Sequence, residues 1–375
     1  MIQLFKPSIG KEEAEAVGKV METGWIGLGP RTAEFEEKFS KYVGAKRAVG
    51  LNSATAALDL ALKAFGISGG EVLVPSMTFI STAHAVLYNN AKPVFVDVNL
   101  ETLCMDVADL KSKVTDKTKA IIPVHYAGHP CDMDEIHELA RAKGLIVIED
   151  AAQASGAEYR GRKIGGMSDA TCFSFEAKKN MTTGDGGMLT TNNNDIADKV
   201  KRLRWFGINK DTWQRARSGY SWYYEVAELG HKSHMNDIQA AIGLVQLAKL
   251  DALNAKRKRL FDFYNESFKD LKGIGLPMEK PYVKSAHWHY VIKVPDRDKF
   301  MAFLQANGIE TGVHYMPVHM HPLYKNMISS GAIPKPKVPL TEAIWTSMVT
   351  LPSYADITDE GMRQVADAVR KFFGK

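Results

Sequence analysis

The run Phe173-Ser174-Phe175-Glu176-Ala177-Lys178-Lys179-Asn180-Met181-Thr182-Thr183-Gly184-Asp185-Gly186-Gly187 holds the residue types that a covalent amine site requires. A lysine becomes a nucleophile only when its ammonium loses a proton, and burial among apolar groups favours that loss. Here aromatic residues flank Ser174, and two lysines lead into a turn of threonines and glycines whose backbone can pass close to a ligand. On this segment alone, a solvated Lys-Lys pair in a hairpin is an equally good reading.

Two further groups have matching chemistry. Leu51-Asn52-Ser53-Ala54-Thr55-Ala56 opens a helix with small and hydroxylated residues after the short apolar stretch 47–50. Exposed N–H groups and the positive end of the helix dipole make such a start an anion site, worth about 0.3–1 kcal/mol from the dipole alone. A plain N-cap by Asn52 or Ser53 explains the same residues. Asp150 ends the apolar run Leu145-Ile146-Val147-Ile148-Glu149-Asp150. A buried carboxylate there needs a partner, for which a protonated ring nitrogen is suitable; capping of the following segment is the simpler alternative.

These positions depend on the elements that carry them. Residues 11–22, 31–42, 54–65 and 133–143 have helical apolar spacing, and the Gly/Pro-rich turn 25–30 separates the first two. Between and after them lie short continuous apolar runs at 71–74, 93–97, 120–124 and 145–150. Strands of this kind alternating with helices predict an α/β fold with a mostly parallel central sheet sandwiched by helices, whose ligands bind at the carboxyl ends of the strands. Beyond about residue 250 the pattern changes. A long charged helix (about 236–270), a strand at 289–294 and a final helix at 358–373 predict a smaller α+β unit. The expected division is a large domain, 1–248, and a small C-terminal domain, 249–375.

Composition narrows the function classes. In 375 residues, 48 basic and 43 acidic side chains are interspersed and give a net charge of +5, so no nucleic-acid face is expected. No stretch approaches the about 18 apolar residues of a membrane span. The early charges of MIQLFKPSIGKEEAEAV do not form a signal peptide. Cys104, Cys131 and Cys172 are odd in number and lack metal-ligand spacing, which fits a reduced, cytoplasmic setting. His314, His319 and His321 have no acidic or cysteine cluster beside them, and no metal is expected. His287 and His289 alternate around Trp288 as in a strand and read as structural.

Taken in order along the chain, the motifs resemble the DegT/DnrJ/EryC1/StrS family of sugar aminotransferases, of pyridoxal-phosphate (PLP) fold type I. The resemblance runs through Gly24–Pro30, Val74–Ala83, Pro93–Val98, Glu149–Ala154, Met235–Ala241 and His314–His319, and is strongest at Lys179-Asn180-Met181-Thr182-Thr183-Gly184-Asp185-Gly186-Gly187. It implies pyridoxal 5′-phosphate as cofactor, with Lys179 as its Schiff-base lysine and Asp150 paired with its ring nitrogen. Phe79 would stack on the ring, Gln153 would face the ring's hydroxyl, and Ala54, Thr55 and Ser174 would hold the phosphate. Lys232 would reach that phosphate from a neighbouring subunit, which implies a homodimer. Trp25, Gly27, His314 and Tyr315 would line the sugar pocket. If this segment is extended, Lys178 would point to the opposite face from Lys179. The chain departs from the family's usual pattern at Ala54 (commonly Gly), Asp185 (Glu), Lys232 (Asn) and His234 (Arg).

The implied reaction moves an amino group from L-glutamate to a nucleotide-linked keto sugar, with an NDP-4-keto-6-deoxyhexose or 4-keto-pentose favoured, for amino-sugar or polysaccharide biosynthesis. Family relatives with histidine in place of this lysine remove a hydroxyl instead, so Lys179 favours transamination. The alternatives are an NDP-3-keto sugar substrate, or a PLP-binding regulatory protein of the same fold without turnover.

Overall fold

In the computed structural model, which describes residues 1–209 and 223–374, a seven-stranded sheet forms the centre. Its strands are β1 (Arg47–Leu51), β2 (Glu71–Pro75), β3 (Lys92–Val96), β4 (Thr118–Ile121), β5 (Ile146–Asp150), β8 (Ala170–Ser174) and β9 (Gly187–Thr191), and their order is β1-β9-β8-β5-β4-β2-β3. Only β9 runs against the others, pairing antiparallel with both β1 and β8. The short strands β6 (Glu158–Tyr159), β7 (Arg162–Lys163) and β10 (Val283–Lys284) form a separate small sheet.

The sheet is mostly parallel because its strands are apolar on both faces. Successive side chains point to opposite sides: Leu73, Ile121 and Val147 enter one core, and Val72, Val74, Ala120 and Ile148 enter another. Helices α2 (Pro30–Val43) and α6 (Met133–Lys143) cover the first face with Phe35, Phe39, Ile136 and Leu139. On the second face lie α3 (Ala54–Ala64), α4 (Ser81–Tyr88) and α7 (Asn194–Leu203), contributing Leu58, Leu62, Val86 and Val200. The N-terminal helix α1 (Lys11–Glu22) and α5 (Val107–Lys113) complete this part of the chain.

Helix α8 (Asp237–Phe268) follows and is within two residues of the expected span. It runs unbroken through residue 248, gives Leu250 to the first core, and gives Leu260, Tyr264 and Phe268 to a third. That third core is completed by β11 (Tyr290–Lys293), α9 (Arg297–Ala306), β12 (Met348–Leu351) and α12 (Asp359–Phe372). The intervening α10 (Pro322–Ser329) and α11 (Pro339–Ile344) belong to a segment, Val318–Val338 and beyond, that packs Val318, Tyr324, Ile333 and Val338 back against the second core.

A polar clamp joins the N-terminal segment to α8. The Asp237 carboxylate accepts from the Arg31 and Thr32 N–H groups (3.1 and 2.9 Å) and the Thr32 hydroxyl (2.8 Å), while its own N–H donates to the Gly27 carbonyl (2.8 Å). Under β1, the buried Glu36 carboxylate pairs with Arg204 and accepts the Gly50 N–H at 2.9 Å. Among the described residues no helix is long and apolar enough to cross a membrane.

Candidate active site

The carboxyl ends of β1, β2, β5 and β8 open on one side of the sheet, and a cavity of about 430 Å³ lies there. Nine of the twelve residues expected at a site line it together: Ala54, Thr55, Phe79, Asp150, Gln153, Ser174, Lys179, His314 and Tyr315. Strand ends and helix starts meet at such an edge because each crossover connection returns the chain to it.

At one end of the cavity, Ser53 caps α3 by accepting the Ala56 N–H at 3.1 Å, so the simpler N-cap reading is correct as far as it goes. The cap leaves the first N–H groups of the helix directed outward, and Thr55 shares a 2.8 Å hydrogen bond with Ser81. Gly187 keeps this helix start at the cavity. A Cβ on it would fall 2.6 Å from the Ala54 nitrogen and collide with the Ser53 carbonyl. Ser174, paired with Gly187 across β8 and β9, adds a third hydroxyl.

Asp150, buried at the end of β5, accepts from the Thr82 hydroxyl (2.8 Å) and the Ala152 N–H (3.1 Å). Burial nevertheless raises its pKa above the ordinary carboxylate value, the hydrogen bonds and the Lys179 charge opposing this. The carboxylate therefore has room for one more cationic partner. Its neighbour Glu149 is satisfied by His125 at 2.7 Å and Thr171 at 3.0 Å. His125 Nδ1 accepts the Cys131 N–H (3.0 Å), which leaves Nε2 as the donor to Glu149. The Phe79 ring, 54% exposed, lies at the cavity rim 5.7 Å from the Tyr315 ring. Gln153 is buried with its carbonyl oxygen taken by the Ala127 N–H (2.7 Å), so its NH₂ is the group left to offer a ligand.

Lys179 is half-buried, with Nζ 3.5 Å from the centre of the Trp288 ring. Burial lowers its pKa to about 8, against the opposing charges of Glu176 and Asp150. The segment around it is a turn and not extended: the Lys179 N–H donates to the Glu176 carbonyl at 2.9 Å. The expected opposite facing of Lys178 is therefore corrected, because a turn does not alternate sides, and both lysines border the cavity. Lys178 is exposed, and its carbonyl accepts the Trp288 indole N–H at 2.9 Å. Trp288 and His289 also line the cavity, whereas His287 does not; all three lie in the irregular stretch before β11, so the strand expected from their alternation begins only at Tyr290. Phe5, Thr82 and Ser81 are further site neighbours that the sequence does not single out, and Phe5 is one of several apolar residues in the stretch 1–10.

Three expected residues lie outside this cavity. Trp25 donates its indole N–H to the Leu28 carbonyl (3.0 Å), and the Gly27 carbonyl is held by Asp237. Lys232 is exposed, in a segment whose Ser233 carbonyl accepts the Asn52 N–H at 2.7 Å. Among the remaining histidines, His319 bonds Ser76 (2.6 Å) and Glu342 (3.1 Å), and among the described residues no group of three metal-ligating side chains occurs.

The donor set suits a flat, anionic, phosphate-bearing ring cofactor: a helix start with hydroxyls, a buried carboxylate short of positive charge, an exposed aromatic face and a neutralisable lysine. Comparisons with known proteins agree. The family model for the DegT/DnrJ/EryC1/StrS aminotransferase family matches residues 7–370. An uncharacterized protein, MJ1066, of Methanocaldococcus jannaschii is 45% identical, over 98% of this chain and 96% of its own length. The spore coat polysaccharide biosynthesis protein SpsC of Bacillus subtilis is 41% identical, over 97% and 95%. The solved structure of the putative sugar aminotransferase Spr1654 of Streptococcus pneumoniae, in its PMP form, superposes with a TM-score of 0.91 at 30% identity, over 100% of this chain and 99% of that one. The chain belongs to the DegT/DnrJ/EryC1/StrS family of sugar aminotransferases, enzymes that use pyridoxal 5′-phosphate.

Proposed function

We propose that the enzyme takes the amino group of L-glutamate and delivers it to C4 of a nucleotide-linked keto sugar, a 4-keto-6-deoxyhexose or 4-keto-pentose, for amino-sugar or polysaccharide biosynthesis. The observation that carries this reading is the placement of Lys179, Asp150 and Phe79 around one cavity at the strand ends. The bound cofactor supplies an electron sink for charge that develops at the donor's α-carbon. Each residue then has a defined task. Ala54, Thr55 and Ser174 hold the phosphate, Asp150 keeps the ring nitrogen protonated, Phe79 covers the ring face and Gln153 meets the ring hydroxyl. Lys179 anchors the cofactor; once its Nζ is free, it takes the proton from the donor's α-carbon and later gives one to the carbon that receives nitrogen in the sugar. The net change is glutamate plus keto sugar to 2-oxoglutarate plus amino sugar.

His314 and Tyr315 are assigned to the sugar side of the cavity. Trp25, Gly27 and Lys232, which lie outside their own chain's cavity, are assigned to a site shared across a homodimer, Lys232 adding a point charge for the phosphate. We also assign the chain beyond residue 248, with the third core, to a smaller unit beside the large domain, and the enzyme to the cytoplasm. The test is turnover of purified protein with glutamate and a panel of nucleotide-linked 4-keto and 3-keto sugars. Release of 2-oxoglutarate with 4-keto substrates supports the reading; activity confined to 3-keto substrates, or absent from the whole panel, rejects it.

A further inference from the structure

His289 is 1% exposed, and neither Nδ1 nor Nε2 has a hydrogen-bond partner among the described residues. Buried polar side chains are rarely left so, and one that is calls for a ligand or a water. The ring is held firmly in this state. It stacks on His314 with centroids 4.3 Å apart and 27° between planes, and Phe5 lies 4.8 Å away on the N-terminal segment. It forms part of the wall of the 430 Å³ cavity and also borders a second, smaller one of about 70 Å³ behind it, beside Tyr126, His129 and His287. The ring thus stands between the two cavities, and both of its nitrogens are buried and unpartnered.

The chemistry of the ring selects its ligand. Burial, aided by the nearby His314 and Lys179, keeps His289 neutral. A neutral imidazole offers one donor and one acceptor. A carboxylate, which only accepts, is better served by the exposed ammonium of Lys178 at the same cavity. A hydroxyl both donates and accepts and is the natural complement. His314 has Nδ1 engaged with the Thr350 hydroxyl at 2.9 Å, whereas His289 has both nitrogens uncommitted. We propose that His289 is a specificity-determining residue that hydrogen-bonds a hydroxyl of the acceptor sugar and takes no part in recognising the amino-acid donor. The inference rests on the sugar aminotransferase reading above.

The two half-reactions of the holoenzyme separate these roles. Amine uptake from glutamate and amine delivery to a nucleotide keto sugar that the wild type accepts are each followed in single turnovers by cofactor absorbance. His289→Phe keeps a flat ring and removes both nitrogens. The expected result is a ten- to hundredfold rise in the sugar concentration for half-saturation, with the glutamate half within threefold of wild type. His289→Asn, which retains a donor and an acceptor, recovers part of the loss and serves where the phenylalanine variant fails to fold. Equilibrium binding of the nucleotide amino-sugar product gives a readout independent of turnover and weakens in parallel. With a deoxy analogue lacking the contacted hydroxyl, wild type and His289→Phe bind alike, because the two deletions remove the same bond. A wild type that turns over sugar while His289→Phe slows both halves equally, or neither, overturns the inference alone. A wild type inert toward every keto sugar overturns the proposed function and this inference with it.

Discussion

Replacing Asp150 by asparagine separates charge from shape at the site. The side chain keeps its size, and the Ala152 N–H, now 3.1 Å from Oδ1, still finds an amide oxygen. The Thr82 hydroxyl, a donor to Oδ2 at 2.8 Å, can instead accept from the new NH₂ by turning its proton toward Thr78, 2.9 Å away. Folding should therefore lose only about 1 kcal/mol, the worth of one rearranged hydrogen bond. The loss in catalysis is larger. In the wild type the buried carboxylate faces a ring nitrogen that must stay protonated, and breaking a buried ion pair by neutralising one partner costs about 3–5 kcal/mol. Converted at 1.36 kcal/mol per tenfold, Asp150→Asn should slow the amine-uptake half-reaction by about 10²–10⁴. The assay is single-turnover reaction of the reconstituted variant with glutamate, followed by cofactor absorbance, with thermal melts run in parallel. Reconstitution with a cofactor methylated on the ring nitrogen supplies a fixed positive charge and should restore much of the rate. A variant within threefold of wild type, or one equally slow with the methylated cofactor, would show that Asp150 does not act through ring protonation.

Other perturbations follow from the same packing. Gly187→Ala places a Cβ against the Ser53–Ala54 backbone, so it should cost about 1–3 kcal/mol of stability and weaken cofactor affinity measured by titration of the cofactor-free protein. Glu36→Ala leaves the buried Arg204 guanidinium unpaired beneath β1, and urea melts should show a loss of about 3–5 kcal/mol. Cofactor capture by the cofactor-free protein should rise with pH and reach half its maximum near 8, since only neutral Lys179 attacks and burial lowers its pKa to about that value; a midpoint above 10 would indicate a solvated amine. Because that pKa is lower folded than unfolded, the unfolded chain holds more protons between the two values, and the stability of the cofactor-free protein should increase as pH climbs from about 8 through the unfolded lysine value.

Much of this architecture was legible in the sequence, for identifiable reasons. Runs such as Val72-Leu73-Val74 and Val147-Ile148 are apolar at consecutive positions, and only a strand covered on both faces buries all of them. Asp150 ends such a run, so its place at the ligand edge followed from strand direction, whereas Ser174, at the end of β8, was assigned by resemblance. Local rules failed where tertiary contacts decide. The Glu176–Lys179 turn is set by a backbone bond and by Trp288, which is 110 residues away in the chain and ties down the Lys178 carbonyl. Phe5, Trp288 and His289 come together at the cavity only through the docking of the N-terminal segment and the third core against the sheet. Trp25, Gly27 and Lys232 were assigned by resemblance alone, and a single chain leaves them outside its own cavity.

Borohydride reduction of the cofactor-loaded enzyme, followed by peptide mapping, locates the amine to which the cofactor is bound. The label should appear on Lys179 alone, persist in Lys178→Gln and vanish in Lys179→Gln. Label on Lys178 or elsewhere in the wild type, or a loaded enzyme with no reducible link, would contradict the assignment of Lys179 and the chemistry built on it.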